Sequence, residues 1–261
     1  MASVKKRSTL KVWGDVIFAI FLREIKSNFS DKFGLSWALV SPMLMVVVMV
    51  AIRGALDSGE THGMPTIYFI VYGVVLIQFF LGVLEKVSRS IQKNKPLYAF
   101  RQVQPISSII AIAGFELLVK IFLVIVLMTI AFFAHFDLYM NDPIEVIFIV
   151  LRVWLIAMSV GMILSLAGCY VPEVNKLQVF ITRPVFFISG IFFSLQDIPR
   201  EYWHYLDWNP ILHAVELIRY SGYPNYGDIG VSFFYLDMVT LISVFFALAC
   251  YHIAWKQAIS R

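Results

Sequence analysis

Ionisable residues inside apolar stretches are the first candidates for chemistry in this chain. Glu116 and Lys120 stand four residues apart in a long apolar run, so on a helix they share a face and can form an ion pair. Arg183 stands in similar surroundings. Ionisable side chains within a membrane are costly, and they mark either an internal ion pair or a polar path for a substrate. Both interpretations stay open for Glu116 and Lys120. Arg183 is either a candidate contact for an anionic substrate or an arginine whose guanidinium extends to lipid headgroups.

A polar segment lies between two strongly apolar runs: DIPREYWHYLDWNPILHAVELIRYSGYP, residues 197–224. Asn209 can cap a helix that begins at Pro210, and Gly222 can end it. Helices this short and polar cannot cross a bilayer, so they lie on its surface or enter it and return. The interacting candidates are Trp203, Trp208, Asn209, His213, Glu216 and Arg219. They either contact a substrate or hold the segment together.

Motifs for catalysis and nucleotide binding are missing from the sequence. There is no GxxxxGK[ST] phosphate loop, no HExxH and no GxSxG. Cys169 and Cys250 lie in apolar runs without metal-ligand spacing, and the five histidines are scattered. The sequence therefore predicts no catalytic residue, no metal site and no cofactor bound by this chain.

Composition indicates a membrane protein. Of 261 residues, 60% are hydrophobic and 15% are charged, and the mean hydropathy is +0.80, whereas soluble domains carry about 25% charged residues. The predicted fold is all-α, a polytopic membrane protein with about six transmembrane helices, since a span needs about 20 mostly apolar residues. The predicted spans are residues 37–52, 66–84, 106–134, 144–170, 178–195 and 231–254.

Lysine and arginine are concentrated before the first predicted span and in the loop 85–105. The positive-inside rule therefore places both termini and this loop in the cytoplasm, and residues 196–230 on the outside. Within the cytoplasmic segment 1–36, residues 10–34 predict an amphipathic helix that lies along the inner membrane surface or packs on neighbouring spans. We expect no cleavable signal peptide, because charged residues interrupt any short apolar core near the N-terminus.

Aromatic residues recur at helical spacing in the second predicted span. Tyr68, Tyr72 and Phe79 fall on one face. Aromatic faces can stack on sugar rings, although such a stripe is also typical of helix packing. Phe186 and Phe193 in the fifth predicted span are weaker candidates of the same kind.

Three basic residues follow at the inner end of the second span. Lys86, Arg89 and Lys93 are spaced to share one helical face before Pro96. They either bind lipid headgroups or dock in a groove of a cytoplasmic partner.

Four stretches resemble the transmembrane subunits of polysaccharide-exporting ABC transporters of the type-2 class. They are FLREIKSNFSDKFGLSWALVSP, FRQVQPISSIIAIAGFE, VPEVNKL and RPVFFISGIFFSLQDIPREYWHYLDWNPILHAVELIR. The last is the most specific. Within this class the chain is most similar to the capsular-polysaccharide export inner-membrane proteins of Gram-negative bacteria, and O-antigen permeases come next.

The resemblance implies a homodimer in the inner membrane, bound to two copies of a separate ABC ATPase that binds ATP and Mg. A lipid-linked polysaccharide would pass between the two permease copies, and periplasmic and outer-membrane export proteins would follow. Tyr68, Tyr72, Phe79, Arg183, Phe186 and Phe193 would then be channel candidates. Lys86, Arg89 and Lys93 would couple to the ATPase, and residues 196–230 would form a periplasmic gate. No nucleic acid is expected as a partner.

Other functions remain possible from the sequence alone. Export of O-antigen predicts a polymer destined for lipid A. A membrane-embedded enzyme that modifies lipids predicts activity without an ATPase. A secondary transporter is disfavoured, because no inverted repeat or broken midspan helix is evident.

Overall fold

The computed structural model describes residues 8–30, 32–54, 59–135 and 140–260. These residues are predominantly α-helical, and their single sheet is a two-stranded hairpin formed by β1 (Glu60–Thr61) and β2 (Met64–Pro65). The helices are α1 (Thr9–Ser30), α2 (Lys32–Gly54), α3 (Thr66–Ser88), α4 (Ser90–Lys93), α5 (Pro105–Phe133), α6 (Pro143–Tyr170), α7 (Val174–Ile188), α8 (Pro210–Gly222) and α9 (Phe233–Ser260). Short 3₁₀ helices cover Lys95–Ala99, Leu195–Asp197, Arg200–Tyr205 and Pro224–Tyr226. The all-α prediction is confirmed.

Four of the described helices, α3, α5, α6 and α9, are long and apolar enough to cross a membrane. They coincide with four of the predicted spans, those at 66–84, 106–134, 144–170 and 231–254. The first predicted span falls within α2, where Val40–Arg53 is a shorter apolar stretch. The chain is therefore a multi-pass membrane protein.

The fifth predicted span, 178–195, differs from the structure at its end. Helix α7 stops at Ile188 and has 15 residues, which is about 22 Å of helix against a hydrocarbon core of about 30 Å. The chain turns at Gly190, which has a φ of +74°, a conformation that L side chains rarely adopt. Apolar residues continue past this turn, and so the apolar run is longer than the helix.

Helix α3 is the centre of the packing. It contacts α2, α5, α6, α7 and α8, and side chains such as Val74, Ile77 and Val83 are fully buried along it. It approaches α6 closely at Gly161, where an added Cβ atom would lie 2.9 Å from the Cβ atom of Val87. By contrast, α5 and α9 expose rows of large apolar side chains such as Phe122, as lipid-facing helices do.

Helix α1 packs on the start of α5. Val16 and Ile20 are buried against Ala111, whereas Leu10 and Phe18 on α1 are exposed. The predicted N-terminal helix is therefore present and packs on a neighbouring span. Its position along the inner membrane surface stays a prediction.

We predict that Gly161→Ala destabilises the protein by about 1–3 kcal/mol, because a methyl group at the α3–α6 contact overpacks a filled interior. The thermal unfolding midpoint of the detergent-purified protein measures this. Gly114→Ala on α5 is the matched control, since a Cβ atom there meets nothing within 4 Å. Equal midpoints for the two variants would contradict the close packing.

Candidate functional site

A buried arginine joins three elements near the end of α8. Arg219 is 0% exposed. Its Nη1 donates to Glu216 Oε1 at 2.9 Å, its Nε to the carbonyl of Phe69 on α3 at 3.1 Å, and its Nη2 to the carbonyl of Ile191 at 3.4 Å. The guanidinium carbon lies 3.4 Å from the ring centroid of Phe69. Arg219 thus ties α8 to α3 and to the turn that follows α7.

The partner carboxylate is held from its other side. Glu216 Oε2 accepts hydrogen bonds from the hydroxyls of Tyr226, at 2.7 Å, and Ser194, at 3.0 Å. Burial raises the pKa of the Tyr226 phenol above its ordinary value, so that Tyr226 remains a donor. Each nitrogen of the Arg219 guanidinium and each oxygen of the Glu216 carboxylate is therefore hydrogen-bonded, as a buried ion pair requires. We call Ser194, Glu216, Arg219 and Tyr226 the buried charge cluster.

The cap predicted for α8 is confirmed. Asn209 Oδ1 accepts from the backbone N–H of Ile211 at 3.0 Å, and Pro210 is the first helical residue. The Asn209 amide also donates to Ser189 Oγ at 3.1 Å. The cap therefore fastens the start of α8 to the turn that follows α7.

His213 is held as a neutral imidazole. Its Nδ1 accepts from the backbone N–H of Ser232 at 3.1 Å, so Nε2 carries the proton and donates to the carbonyl of Asp207 at 2.7 Å. Burial lowers the pKa of His213 below its ordinary value. The helical spacing allowed His213 to approach Glu216, but its hydrogen bonds instead join α8 to the start of α9.

The two tryptophans of the segment lie apart from the buried charge cluster. Trp203 donates to the carbonyl of Ile198 at 2.7 Å and packs on Gly230, where an added Cβ atom would lie 2.5 Å from its ring. Trp208 donates to the carbonyl of Tyr205 at 2.7 Å and is 60% exposed. Exposed aromatic residues of this kind suit a membrane interface. Of the six predicted residues, Asn209, Glu216 and Arg219 are connected through the same turn, whereas the side chains of Trp203, Trp208 and His213 make their hydrogen bonds elsewhere.

A second group of contacts, which we call the Asp197 joint, was not predicted from the sequence. Asp197 Oδ1 lies 2.6 Å from His62 Nε2, and Asp197 Oδ2 lies 3.7 Å from Arg53 Nη2. His62 and Gly63 form the two-residue turn between β1 and β2, with φ values of 51° and 75°, as a hairpin of primed type requires. The His-Gly dipeptide is the sequence signal for this turn, but nothing in the sequence identifies Asp197 as the partner.

At the other end of α3, the structure corrects the predicted pair Glu116–Lys120. Glu116 forms its ion pair with Lys86 of α3, and among the described residues no ion pair joins Glu116 to Lys120. The Lys86–Glu116 pair joins α3 to α5. A pair between Glu116 and Lys120 would have lain within α5 and joined no second helix. Arg152, further along on α6, is likewise paired, with Glu145 at 2.7 Å and with Asp237 of α9.

The three basic residues predicted to face a cytoplasmic partner, Lys86 at the end of α3 and Arg89 and Lys93 after it, differ in their surroundings. Lys93 on α4 pairs with Glu24 of α1 at 2.7 Å, and Arg23 donates to Asn94. Glu24 is 4% exposed, so the carboxylate of this ion pair is buried. The pair joins α1 to α4, and we call it the Glu24–Lys93 joint. Arg89 pairs with Glu85 on the surface at 3.2 Å. All three are thus paired with carboxylates of this chain, and their side chains keep similar exposure: 45% for Lys86, 51% for Arg89 and 54% for Lys93.

The aromatic stripe of α3 is largely packing. Phe79 is 2% exposed and packs in the core, and its role in lining a channel stays a prediction. Tyr72 lies against Gly222 of α8, where an added Cβ atom would be 2.5 Å from its ring. Tyr68 is half-buried.

The channel candidates of the fifth predicted span are divided by the end of α7. Arg183 and Phe186 lie on α7 and line a groove beside α3. Phe193 follows the turn at Gly190 and is half-buried, so it shares no helical face with Phe186.

The fold and these joints define a membrane protein whose helices are bound together by charged contacts at both ends. The ABC-2 type transporter family matches residues 15–223. The chain belongs to this family. It is the membrane subunit of a transporter, and so the alternative of a lipid-modifying enzyme is wrong.

Several relatives match nearly the whole chain. The polysialic acid transport protein KpsM of Escherichia coli is 32% identical over 246 residues, which cover 94% of this chain and 95% of KpsM. The capsule polysaccharide export inner-membrane protein CtrC of Neisseria meningitidis serogroup A is 24% identical, over 90% of this chain and 89% of CtrC. BexB of Haemophilus influenzae, which has the same description, is 23% identical over 87% of this chain and 85% of BexB.

The Asp197 joint makes a prediction for stability against pH. Burial alone would raise the pKa of Asp197, but the Ser194 N–H, His62 and Arg53 together lower it below its ordinary 3.8. A carboxylate with a lowered pKa stabilises the folded state above its unfolded pKa, and this contribution is lost as the pH falls through the folded value. Asp197→Asn should therefore lower the unfolding midpoint at pH 7, and the difference from wild type should shrink below about pH 4.

Thermal unfolding between pH 7 and pH 3 measures this difference. Glu201→Gln is the control, because Glu201 is an exposed carboxylate on the same segment. A difference between wild type and Asp197→Asn that stays constant down to pH 3 would contradict the joint.

Proposed function

We propose that this chain is the permease subunit of an ATP-driven exporter that moves lipid-linked capsular polysaccharide across the inner membrane. The observation that carries the proposal is the similarity to KpsM, which extends over 94% of the chain. CtrC and BexB, both described as capsule polysaccharide export proteins, match over similar lengths. These relatives favour capsule export over O-antigen export.

In the proposed complex, two copies of this chain enclose the polymer path, and two copies of a cytoplasmic ABC ATPase bind ATP and Mg. Periplasmic and outer-membrane export proteins receive the polymer. The resemblance of the sequence to type-2 exporters supports this composition. Separate subunits for hydrolysis and for translocation require a mechanical connection between them.

The contacts of the loops support an orientation with both termini in the cytoplasm. At one end of the helices, the hairpin reaches Asp197, and the backbone N–H of Asp142 donates to the carbonyl of Ser221 at 2.9 Å. At the other end, α1 meets α4, and Tyr251 of α9 accepts from the N–H of Ile106. The loops thus fall into two sets, and the set that contains 85–105 is the one rich in lysine and arginine. By the positive-inside rule that set is cytoplasmic.

The Glu24–Lys93 joint is our proposed element for coupling. A partner that pushes on the loop 85–105 also moves α1, because Lys93 and Asn94 hold Glu24 and Arg23 of that helix. Helix α1 in turn packs on α5. The exposed residues Phe100 and Arg101 at the end of the loop are free to contact the ATPase.

The test is complementation of a strain that lacks the gene, with polysaccharide measured on the cell surface and inside the cell. Wild type should restore surface polymer. Lys93→Glu should leave polymer in the cytoplasm, because it sets two carboxylates together at the α1–α4 joint, and the charge-swapped double variant Glu24→Lys/Lys93→Glu should restore most of the export.

Lys95→Glu is the matched control, since Lys95 is a neighbouring exposed lysine. Normal surface polymer in the deletion strain would refute the transport function. Export at the wild-type level in the Lys93→Glu variant, with normal protein abundance, would refute only the coupling joint. The lipid to which the lost surface polymer is normally joined separates the two readings: lipid A indicates O-antigen, and a phospholipid indicates capsule.

A further inference from the structure

A groove of about 380 Å³ lies between α3 and α7. Its polar lining includes Glu85 and Arg89 at the end of α3 and Arg183 on α7, and its apolar lining includes Leu81, Phe186 and Phe187. We call it the α3–α7 groove. Its volume lies within the range of about 300–1,000 Å³ that is usual for small-molecule sites.

The groove is a fixed feature of the packing. The Ser88 hydroxyl on α3 donates to Gln178 Oε1 on α7 at 2.7 Å, and both side chains are buried. Gln178 also lines the groove. This bond holds the two helices at a set spacing beside the two arginines.

The charge of the lining is positive. Two guanidinium groups face one carboxylate, that of Glu85, and this carboxylate pairs with Arg89 at 3.2 Å. Among the residues that the structure describes, no carboxylate forms an ion pair with Arg183. An arginine within an apolar segment is usually paired or lies at a water-filled path. Among the described residues, the groove lining therefore includes one guanidinium without an ion-pair partner, that of Arg183, and a second that is paired with Glu85.

The chemistry of the groove is that of a phosphate site with an apolar neighbour. Guanidinium groups bind phosphate oxygens through two parallel hydrogen bonds, and arginine is enriched wherever such recognition occurs. Leu81, Phe186 and Phe187 offer an apolar wall beside the arginines. A molecule with an anionic phosphate next to an acyl chain fits both parts.

We propose that the α3–α7 groove binds the phosphate that joins the exported polysaccharide to its lipid, with Arg183 as the main contact. This inference rests on the proposed function. The groove lies at the end of α3 that carries Arg89, which is the side of loop 85–105. Arg183 and Arg89 would thus receive the lipid end of the polymer from the cytoplasmic leaflet, and the sugar chain would extend into the path between the two copies.

Two sources could supply the same phosphate: the lipid anchor of the polymer, or an anionic phospholipid of the surrounding membrane. Binding and export measured on the same variants distinguish them. The permease–ATPase complex in phosphatidylcholine nanodiscs is titrated with a fluorescent short-chain phosphatidylglycerol, and short-chain phosphatidylcholine is the uncharged comparison. Surface polysaccharide is measured in the complemented deletion strain.

Arg183→Gln should weaken phosphatidylglycerol binding about tenfold and reduce export, and Arg183→Lys should restore part of each. Glu85→Gln should strengthen binding severalfold, because it removes the competing carboxylate. Lys176→Gln is the matched control: Lys176 is an exposed lysine on α7 outside the groove lining, and its replacement should change neither quantity.

Unchanged phosphatidylglycerol binding in Arg183→Gln would overturn the site. Weakened binding with export at the wild-type level would make it a site for membrane phospholipid and overturn the assignment to the polymer. Both of these results concern the Arg183→Gln variant, and in both of them the wild-type protein still restores surface polysaccharide. Failure of wild type itself to restore surface polymer is a different result, because it refutes the proposed function.

Discussion

The contact on which the rest of this structure depends is the ion pair between Arg219 and Glu216. Both charges are buried, so each needs hydrogen-bond partners within the protein or the fold loses several kcal/mol. Arg219 meets this requirement with two carbonyls from other elements, those of Phe69 and Ile191. The position of α8 relative to α3 and to the turn after α7 is therefore set by electrostatics as much as by apolar packing.

This requirement explains why so much polar chemistry lies between two apolar runs. The segment that follows α7 is too short and too polar to cross a membrane, and its backbone groups need protein partners. Asn209 and Arg219 donate to the carbonyls of Ile188 and Ile191, and the Asp197 carboxylate accepts from the backbone N–H of Ser194. At the opposite end, the Glu24–Lys93 joint holds α1 against the basic loop. Ion pairs and hydrogen bonds thus hold the connecting segments in place at both ends of the spans, and a displacement at one end can be transmitted to the other.

Hydropathy and capping residues were sufficient to predict α3, α5, α6, α9 and the bounds of α8. They failed at the end of α7, because apolar residues continue through the buried turn at Gly190 and hydropathy does not distinguish a helix from a buried turn. Ion-pair partners were harder still. Helical spacing indicated Lys120 for Glu116, but the tertiary packing brings Lys86 closer. The Asp197–His62 contact joins residues 135 apart in the chain, and no local pattern identifies such a pair.

The central claim is that the Arg219–Glu216 pair fastens the segment that follows α7 to the spans. Hydrogen exchange at residues 189–197, together with the unfolding midpoint, tests it in Arg219→Met and in the double variant Glu216→Leu/Arg219→Met. The single variant leaves a buried carboxylate uncompensated, at about 3–5 kcal/mol, so exchange should rise and the midpoint should fall. The double variant removes both charges and should recover much of the midpoint. Exchange and midpoint at the wild-type level in Arg219→Met would contradict the account.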